Sequence, residues 1–182
     1  PAHWITDARP LPASDSLFYA DRPAPLFRKV FQTVNSIRSA KLSITAAGYY
    51  LASLNGERIG RNVLDPAWTD FSKRIYFSEY DVTALLQEGE NTLGVELGNG
   101  FYNPLPMRKW GRRNMRLDTK VGKPTFIAKL AIEYESGETE EIVSDTTWTY
   151  AFGPTIRNSV YLGVGYDARK DISDWNSPAF DV

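Results

Sequence analysis

Cysteine is absent from the 182 residues, which removes disulfide frameworks and cysteine zinc sites and leaves the redox compartment unread. Histidine occurs once, as His3, in a lead-in that reads as mobile, so neither a Ser-His-Asp triad nor a multi-histidine metal centre has support. No apolar run approaches the ~18 residues that a membrane-spanning helix needs, so no membrane partner is expected. The first ten residues, PAHWITDARP, have neither the basic nor the apolar part of a signal peptide. The chain reads as soluble, and its opening on proline instead of methionine reads as a mature or excised piece of something longer, which leaves export open. Excess charge of one sign is also missing. A formal net charge of −1 gives no general reason to seek a polyanion, and nucleic acid is not an expected partner. The glycines of GNG, Gly98 to Gly100, are not followed by the GK[ST] of a phosphate loop, and no βαβ pattern surrounds them, so nucleotide binding is not expected either.

What is present is a globular composition, 42% hydrophobic and 24% charged, in a length that suits one domain with one core. A two-residue period dominates. Leu42, Ile44 and Ala46 alternate with polar residues, as do Leu93, Val95 and Leu97, and a longer run places Phe126, Ala128, Leu130, Ile132 and Tyr134 on one face. Each run predicts a half-buried strand. Asn55-Gly56 between apolar flanks suits a type I′ hairpin turn, and Ser136 to Glu138 predicts a second hairpin. The one helical signal, DVTALLQEGEN, predicts a short connector capped by Asp81 or Thr83 and stopped at Gly89. Short strands punctuated by 11 prolines and 13 glycines predict an all-β fold, an antiparallel sandwich of jelly-roll, galactose-binding-like type. Its expected core holds Leu42, Ile44, Leu93, Val95, Leu97, Phe126, Leu130 and Ile132. Residues 1–25, with ARPLP and DRPAP, read as an extended lead-in, and 26–182 as a single sandwich domain.

The acidic residues lie mostly at turns; ESGETEE, Glu135 to Glu141, reads as a solvated hairpin. The stretch GNGFYNPLPMRKWGRRNMR, Gly98 to Arg116, is different. Arg108, Lys109, Arg112, Arg113 and Arg116 put five cations within nine residues around Trp110. Such a stretch can contact phosphates, although five charges make a small footprint. It can equally hold a pyranose, with an aromatic face against C–H groups and Asn or Arg donating to hydroxyls. A third use is structural, with Phe101, Tyr102 and Trp110 capping the sandwich and the arginines pairing with acids of a neighbouring domain. Pro104 and Pro106 cannot join a sheet ladder, so a long loop at one end of the sandwich is expected. Trp68 and Trp148 are expected to pack at the sandwich edge.

The run DPAWTDFSKRIYFSEYDVTALLQEGENTLGVELGNGFYN, Asp65 to Asn103, resembles the N-terminal β-sandwich domain of bacterial α-L-rhamnosidases. That family shows P-x-W-T-x-Y, then Y-D-V-T-x-x-L-x-x-G-x-N, then L-G-x-G-W/F-Y. The similarity extends back through ITAAGYYLASLNGERIG and forward to SDTTWTY and SVYLGVGYDAR, so it covers most of the chain. In the last segment relatives usually carry a glutamate where this chain has Val164, for which a neutral packing role is expected instead. The resemblance implies a parent enzyme that hydrolyses terminal α-L-rhamnosides with inversion, its acid and base lying in a separate α/α toroid. This chain would then be a non-catalytic accessory domain whose partners are the rest of the parent chain and a rhamnose-containing glycan. No residue is assigned as catalytic; Asp70, Asp81 and Asp167 are set aside. Asn99, Tyr102, Asn103, Trp110 and Arg112 are the expected carbohydrate-facing or domain-facing residues. Bracing of the catalytic domain is the preferred use, and an autonomous rhamnose-binding module the alternative. Some related sandwiches bind rhamnose through calcium, which makes calcium a candidate here, with Asn99 and Pro104 as weak oxygen ligands. The expected setting is bacterial, periplasmic or extracellular in preference to cytoplasmic.

Overall fold

The computed structural model describes residues 1–109 and 111–180. Thirteen strands follow one another: β1 (Pro25–Thr33), β2 (Ile37–Ala47), β3 (Tyr49–Leu54), β4 (Glu57–Arg58), β5 (Ser78–Asp81), β6 (Gly89–Gly98), β7 (Arg108–Lys109), β8 (Arg113–Asn114), β9 (Thr125–Tyr134), β10 (Thr139–Val143), β11 (Thr149–Phe152), β12 (Thr155–Ser159) and β13 (Gly163–Tyr166). One short helix, α1 (Met115–Asp118), and three 3-10 turns complete the described structure. One sheet has the order β11-β1-β6-β3-β4 and the other β10-β9-β2-β5; β12 pairs with β13, and β7 with β8. All of these pairings are antiparallel.

The alternation in sequence sets which side chains enter the core. Phe27, Leu93, Val95 and Leu97 of the five-stranded sheet face Leu42, Ile44, Phe126, Leu130 and Ile132 of the four-stranded sheet in one apolar cluster. Phe27 meets Phe126 edge-on across the gap, with ring centroids 5.2 Å apart. The eight residues expected in the core are all there, none more than 1% exposed. The chain is the antiparallel β-sandwich that its periodicity predicts.

The turns follow their residue types. Asn55 and Gly56 have φ of 54° and 85°, the left-handed values of a type I′ hairpin between β3 and β4. The predicted helical connector is only a 3-10 turn, Thr83–Leu85, because Leu86 is already extended. Asp81 Oδ1 accepts from the Thr83 amide at 3.0 Å and from its hydroxyl at 2.7 Å, while Thr83 Oγ1 accepts from Ala40 N at 2.8 Å. The D-V-T motif thereby ties the connector to β2.

Both ends of the described chain are held. His3 N donates to Ser144 O at 2.7 Å, and Ile5 bridges to Phe126. Asp7, 7% exposed, pairs with Arg9 at 2.8 Å and Lys123 at 3.7 Å. A 3-10 turn, Asp15–Tyr19, follows before β1 begins. At the other end Gly56 N donates to Asn176 O, Asn176 Nδ2 donates to Ser53 Oγ at 2.8 Å, and Arg28 Nη2 donates to the Ser177 and Phe180 carbonyls at 3.2 and 3.3 Å. This strap crosses the outer face of the five-stranded sheet at Gly94, where a Cβ would lie 2.8 Å from Asn176.

Candidate functional site

The stretch after β6 leaves the sandwich through Gly100, whose φ of 52° and close approach to the Gly48 backbone leave little room for a side chain. It is more ordered than a plain loop: β7 and β8 form a two-stranded hairpin, and Asn114 Oδ1 caps α1 by accepting from Arg116 N at 3.0 Å. Trp110 lies outside the described residues. Arg108, Arg112 and Arg113 are exposed on the hairpin. Arg116 is half-buried and turned inward: its Nη1 donates to Asn103 Oδ1 at 2.8 Å and Pro104 O at 2.7 Å, and its guanidinium lies 3.9 Å over Phe18.

Asn99 and Asn103 come together, with Asn103 Nδ2 donating to Asn99 Oδ1 at 2.7 Å. Asn99 also gives its backbone N–H to Asn158 Oδ1 at 2.6 Å and its side-chain amide to Asn158 O at 3.0 Å. Both line a pocket of about 210 Å³ with Arg22, Arg157 and Asn158. Their amides hold the loop to β12 instead of standing open to a ligand. Tyr102 is half-buried, edge-on to Phe71 at 4.9 Å, and its hydroxyl end fills the space left by Gly122. Arg112 stands apart from this network, exposed at the hairpin turn.

The oxygens considered for calcium do not fit a cation. A guanidinium nitrogen already stands at the Pro104 carbonyl, and the Asn99 oxygen accepts from an amide. Among the described residues no group of three or more His, Asp or Glu gathers elsewhere to hold a metal.

Of the packing expectations, those for the two tryptophans hold and that for Val164 needs correction. Trp148 packs as predicted, 7% exposed, edge-on to Phe126 at 5.3 Å and donating to Val143 O at 2.9 Å. Trp68 packs too, stacked on Phe101 at 4.5 Å and 27°, but leaves 52% of its surface open. Val164 is also open, 67% exposed, because the β12–β13 hairpin stands at the surface instead of entering the core. With Leu51, Val63 and Leu64 it lines a largely apolar pocket of about 330 Å³ around Glu96. Burial pushes the Glu96 carboxyl above the usual carboxylate range, partly offset by Thr155. Glu96 sits on the outer row of β6 between Leu26 and Leu51, a position that alternation in sequence marks as solvent-facing.

Asp65, 5% exposed, anchors the D-P-x-W segment. Its carboxylate accepts from Tyr50 at 2.7 Å, Ser78 at 3.0 Å, Asn62 at 3.3 Å and, closest, from Tyr80. Burial alone would raise its pKa; the donors outweigh that and hold it below the usual range.

The family model for the α-L-rhamnosidase N-terminal domain matches residues 35–182. An α-L-rhamnosidase of Formosa agariphila is 39% identical over 158 residues, 87% of this chain and 16% of that protein. One from Streptomyces avermitilis is 38% identical over 146 residues, 80% of this chain and 14% of that protein. Among solved structures, the Streptomyces avermitilis α-L-rhamnosidase complexed with L-rhamnose superposes with a TM-score of 0.80 at 36% identity, covering 89% of this chain and 15% of that one. The α-L-rhamnosidase of Aspergillus terreus gives 0.86 at 30%, covering 99% and 20%. A Pleurotus ostreatus lectin, 16% identical with a TM-score of 0.53 over 99% of this chain and 38% of that one, shares the fold alone. The chain thus spans about one sixth of the curated relatives it matches, at the part of them that the family model describes, and it belongs to the α-L-rhamnosidase N-terminal domain family.

Proposed function

We propose that this chain is a non-catalytic accessory domain of a longer α-L-rhamnosidase, bracing the catalytic part of that polypeptide and standing at its substrate entrance. The carrying observation is coverage: the family model takes in residues 35–182, yet the chain accounts for only 14–16% of these relatives. In this reading residues 26–182 form the accessory sandwich and residues 1–25 lead into it. Asp70, Asp81 and Asp167 support a non-catalytic role, because each serves a local turn. Asp70 accepts from Ser72 and Asp81 from Thr83, while Arg169 draws Asp167 down to about 2. None has the raised pKa that a general acid needs near neutral pH.

The bracing surface is the outer face of the five-stranded sheet together with the basic hairpin. Leu51, Val63, Leu64 and Val164 are 42%, 78%, 61% and 67% exposed around one pocket, a grouping that suits a covered interface better than open water. The outer face of the four-stranded sheet is instead crossed by the ion pairs Arg38–Glu133, Lys41–Glu79 and Lys129–Glu141, as a solvated face should be. Arg108, Arg112 and Arg113 would pair with acids of the catalytic part. The chain alone should not hydrolyse an aryl α-L-rhamnoside, and its reading frame should continue past Val182 into several times its own length. Turnover by the purified chain that disappears on replacing one of its own acids would overturn the proposal. A second reading, an autonomous rhamnose-binding module, is favoured by the half-exposed Trp68.

A further inference from the structure

Glu96 stands where its charge is poorly supported. Its partners across the outer row of the five-stranded sheet are Leu26, 3% exposed, and Leu51, and it shares its pocket with Val63, Leu64 and Val164. Of the residues lining that pocket Glu96 is the one that carries a charge, and among the described residues no lysine, arginine or histidine forms an ion pair with it. A carboxylate so placed costs stability until a cation meets it. The other polar groups of the lining are engaged elsewhere: Tyr50 donates to Asp65, Asn158 Oδ1 accepts from Asn99, and Ser159 Oγ accepts from the Tyr161 and Leu162 amides. Thr155 is left to hydrogen-bond the acid, and it offsets the cost of burial only in part.

We propose that this pocket receives an arginine side chain from the remainder of the longer polypeptide, its guanidinium meeting the Glu96 carboxylate and its methylene stem covering Leu51, Leu64 and Val164. The inference rests on the accessory-domain reading, in which the same face braces the catalytic part. Because the chain accounts for only 14–16% of the curated relatives it matches, most of such a polypeptide is available to supply that side chain. Apolar walls around a single acid match a side chain that is apolar along its stem and cationic at its tip. Arginine suits them better than lysine, since a guanidinium is more weakly hydrated, stays charged when desolvated and offers two parallel N–H groups to the carboxylate. An inorganic cation fits poorly, because one carboxylate among leucines and valines provides too few oxygens to replace its water. The contact is also reciprocal. Arg108, Arg112 and Arg113 seek acids on the catalytic part while Glu96 seeks a base there, and pairs of opposite sense fix the register of two surfaces.

Two measurements test this. The nitrogen-15-labelled 182-residue chain, titrated with butylguanidinium chloride, should show saturable shifts at millimolar probe in the amides of Leu51, Glu96 and Thr155. The same concentration of 1-butanol, which has the tail without the charge, should move them at least fivefold less, and Glu96→Gln should abolish the response to butylguanidinium. In the longer polypeptide Glu96→Gln should lower the thermal midpoint, whereas in the chain alone it should raise stability by removing an unpaired acid. An acid with a purely internal role gives no such reversal of sign. No saturable shift with butylguanidinium, an equal response to 1-butanol, or a response that survives Glu96→Gln overturns the pairing. So does a midpoint of the longer polypeptide that rises or stays level in Glu96→Gln, or one that falls equally in both contexts. The bracing reading is judged separately by Leu64→Asp with Val164→Asp in that polypeptide: a loss there without any loss from Glu96→Gln leaves the bracing face standing and removes the arginine.

Discussion

Asn91 is fully buried, yet its amide is saturated: Nδ2 donates to Gln87 O at 2.8 Å and Gly89 O at 3.0 Å, and Oδ1 accepts from Gln87 N at 3.0 Å and Asn55 Nδ2 at 2.7 Å. Asn55 passes the connection on by accepting from Thr92 N at 2.8 Å. This pair joins the β3–β4 turn, the connector and β6, which is why a G-x-N follows D-V-T in the sequence. Asn91→Ala would strand several buried backbone groups and should cost about 3 kcal/mol in urea denaturation, more than an exposed Asn→Ala change. The two perturbed carboxylates make opposite predictions with pH. Asp65 is held below its unfolded value of ~3.9, so its contribution to stability is present above that pH and is lost as pH falls through the native value. Glu96 is raised above its unfolded value of ~4.3, so burial favours its protonated form at low pH and this contribution is lost as pH rises through the native value. Asp65→Asn should therefore destabilise at pH 7 and much less at pH 3, whereas Glu96→Gln should raise the urea midpoint at pH 7 and change little at pH 3. Equal effects of either variant at both pH values would contradict the assigned environments.

At the scale of elements, periodicity made the strands legible and left their attachments hidden. Alternation at Phe126, Leu130 and Ile132 identifies a half-buried strand without any partner, and Asn55-Gly56 specifies its turn because only residues tolerant of positive φ fit there. Gly56→Ala, with φ of 85° and open space around the missing Cβ, should cost about 1 kcal/mol from backbone strain alone, measured by the same denaturation. The connector was overread as helical because Leu85 and Leu86 carry a helical pattern while Gly89, at φ 91°, restarts a strand too soon for more than one turn. The fate of Asn99 was unreadable for a different reason. Its partner Asn158 lies 59 residues away on another strand, and no local pattern announces such a pairing. That half of Trp68 stays open is likewise not legible, because a tryptophan between small and polar residues looks the same in sequence whether its second face meets protein or water.

For the whole molecule, the two outer faces differ in what they expose. The four-stranded face carries ion pairs beside a small apolar hollow at Phe77 and Ile127, and the five-stranded face a larger apolar pocket around an acid that burial disfavours. In a longer polypeptide that includes this chain, Leu64→Asp with Val164→Asp should lower the thermal midpoint by several degrees, while the 182-residue chain carrying both changes should melt as before. A loss confined to the isolated chain would place those side chains in its own core energetics instead. The two held ends add a geometric consequence. Ile5 is bridged to β9 of one sheet, and the segment from Asn176 to Phe180 is strapped over the other, so the terminal segments are held to opposite slabs of the sandwich. A pull exerted through both described terminal segments would therefore act across the packed core between the sheets instead of along one of them.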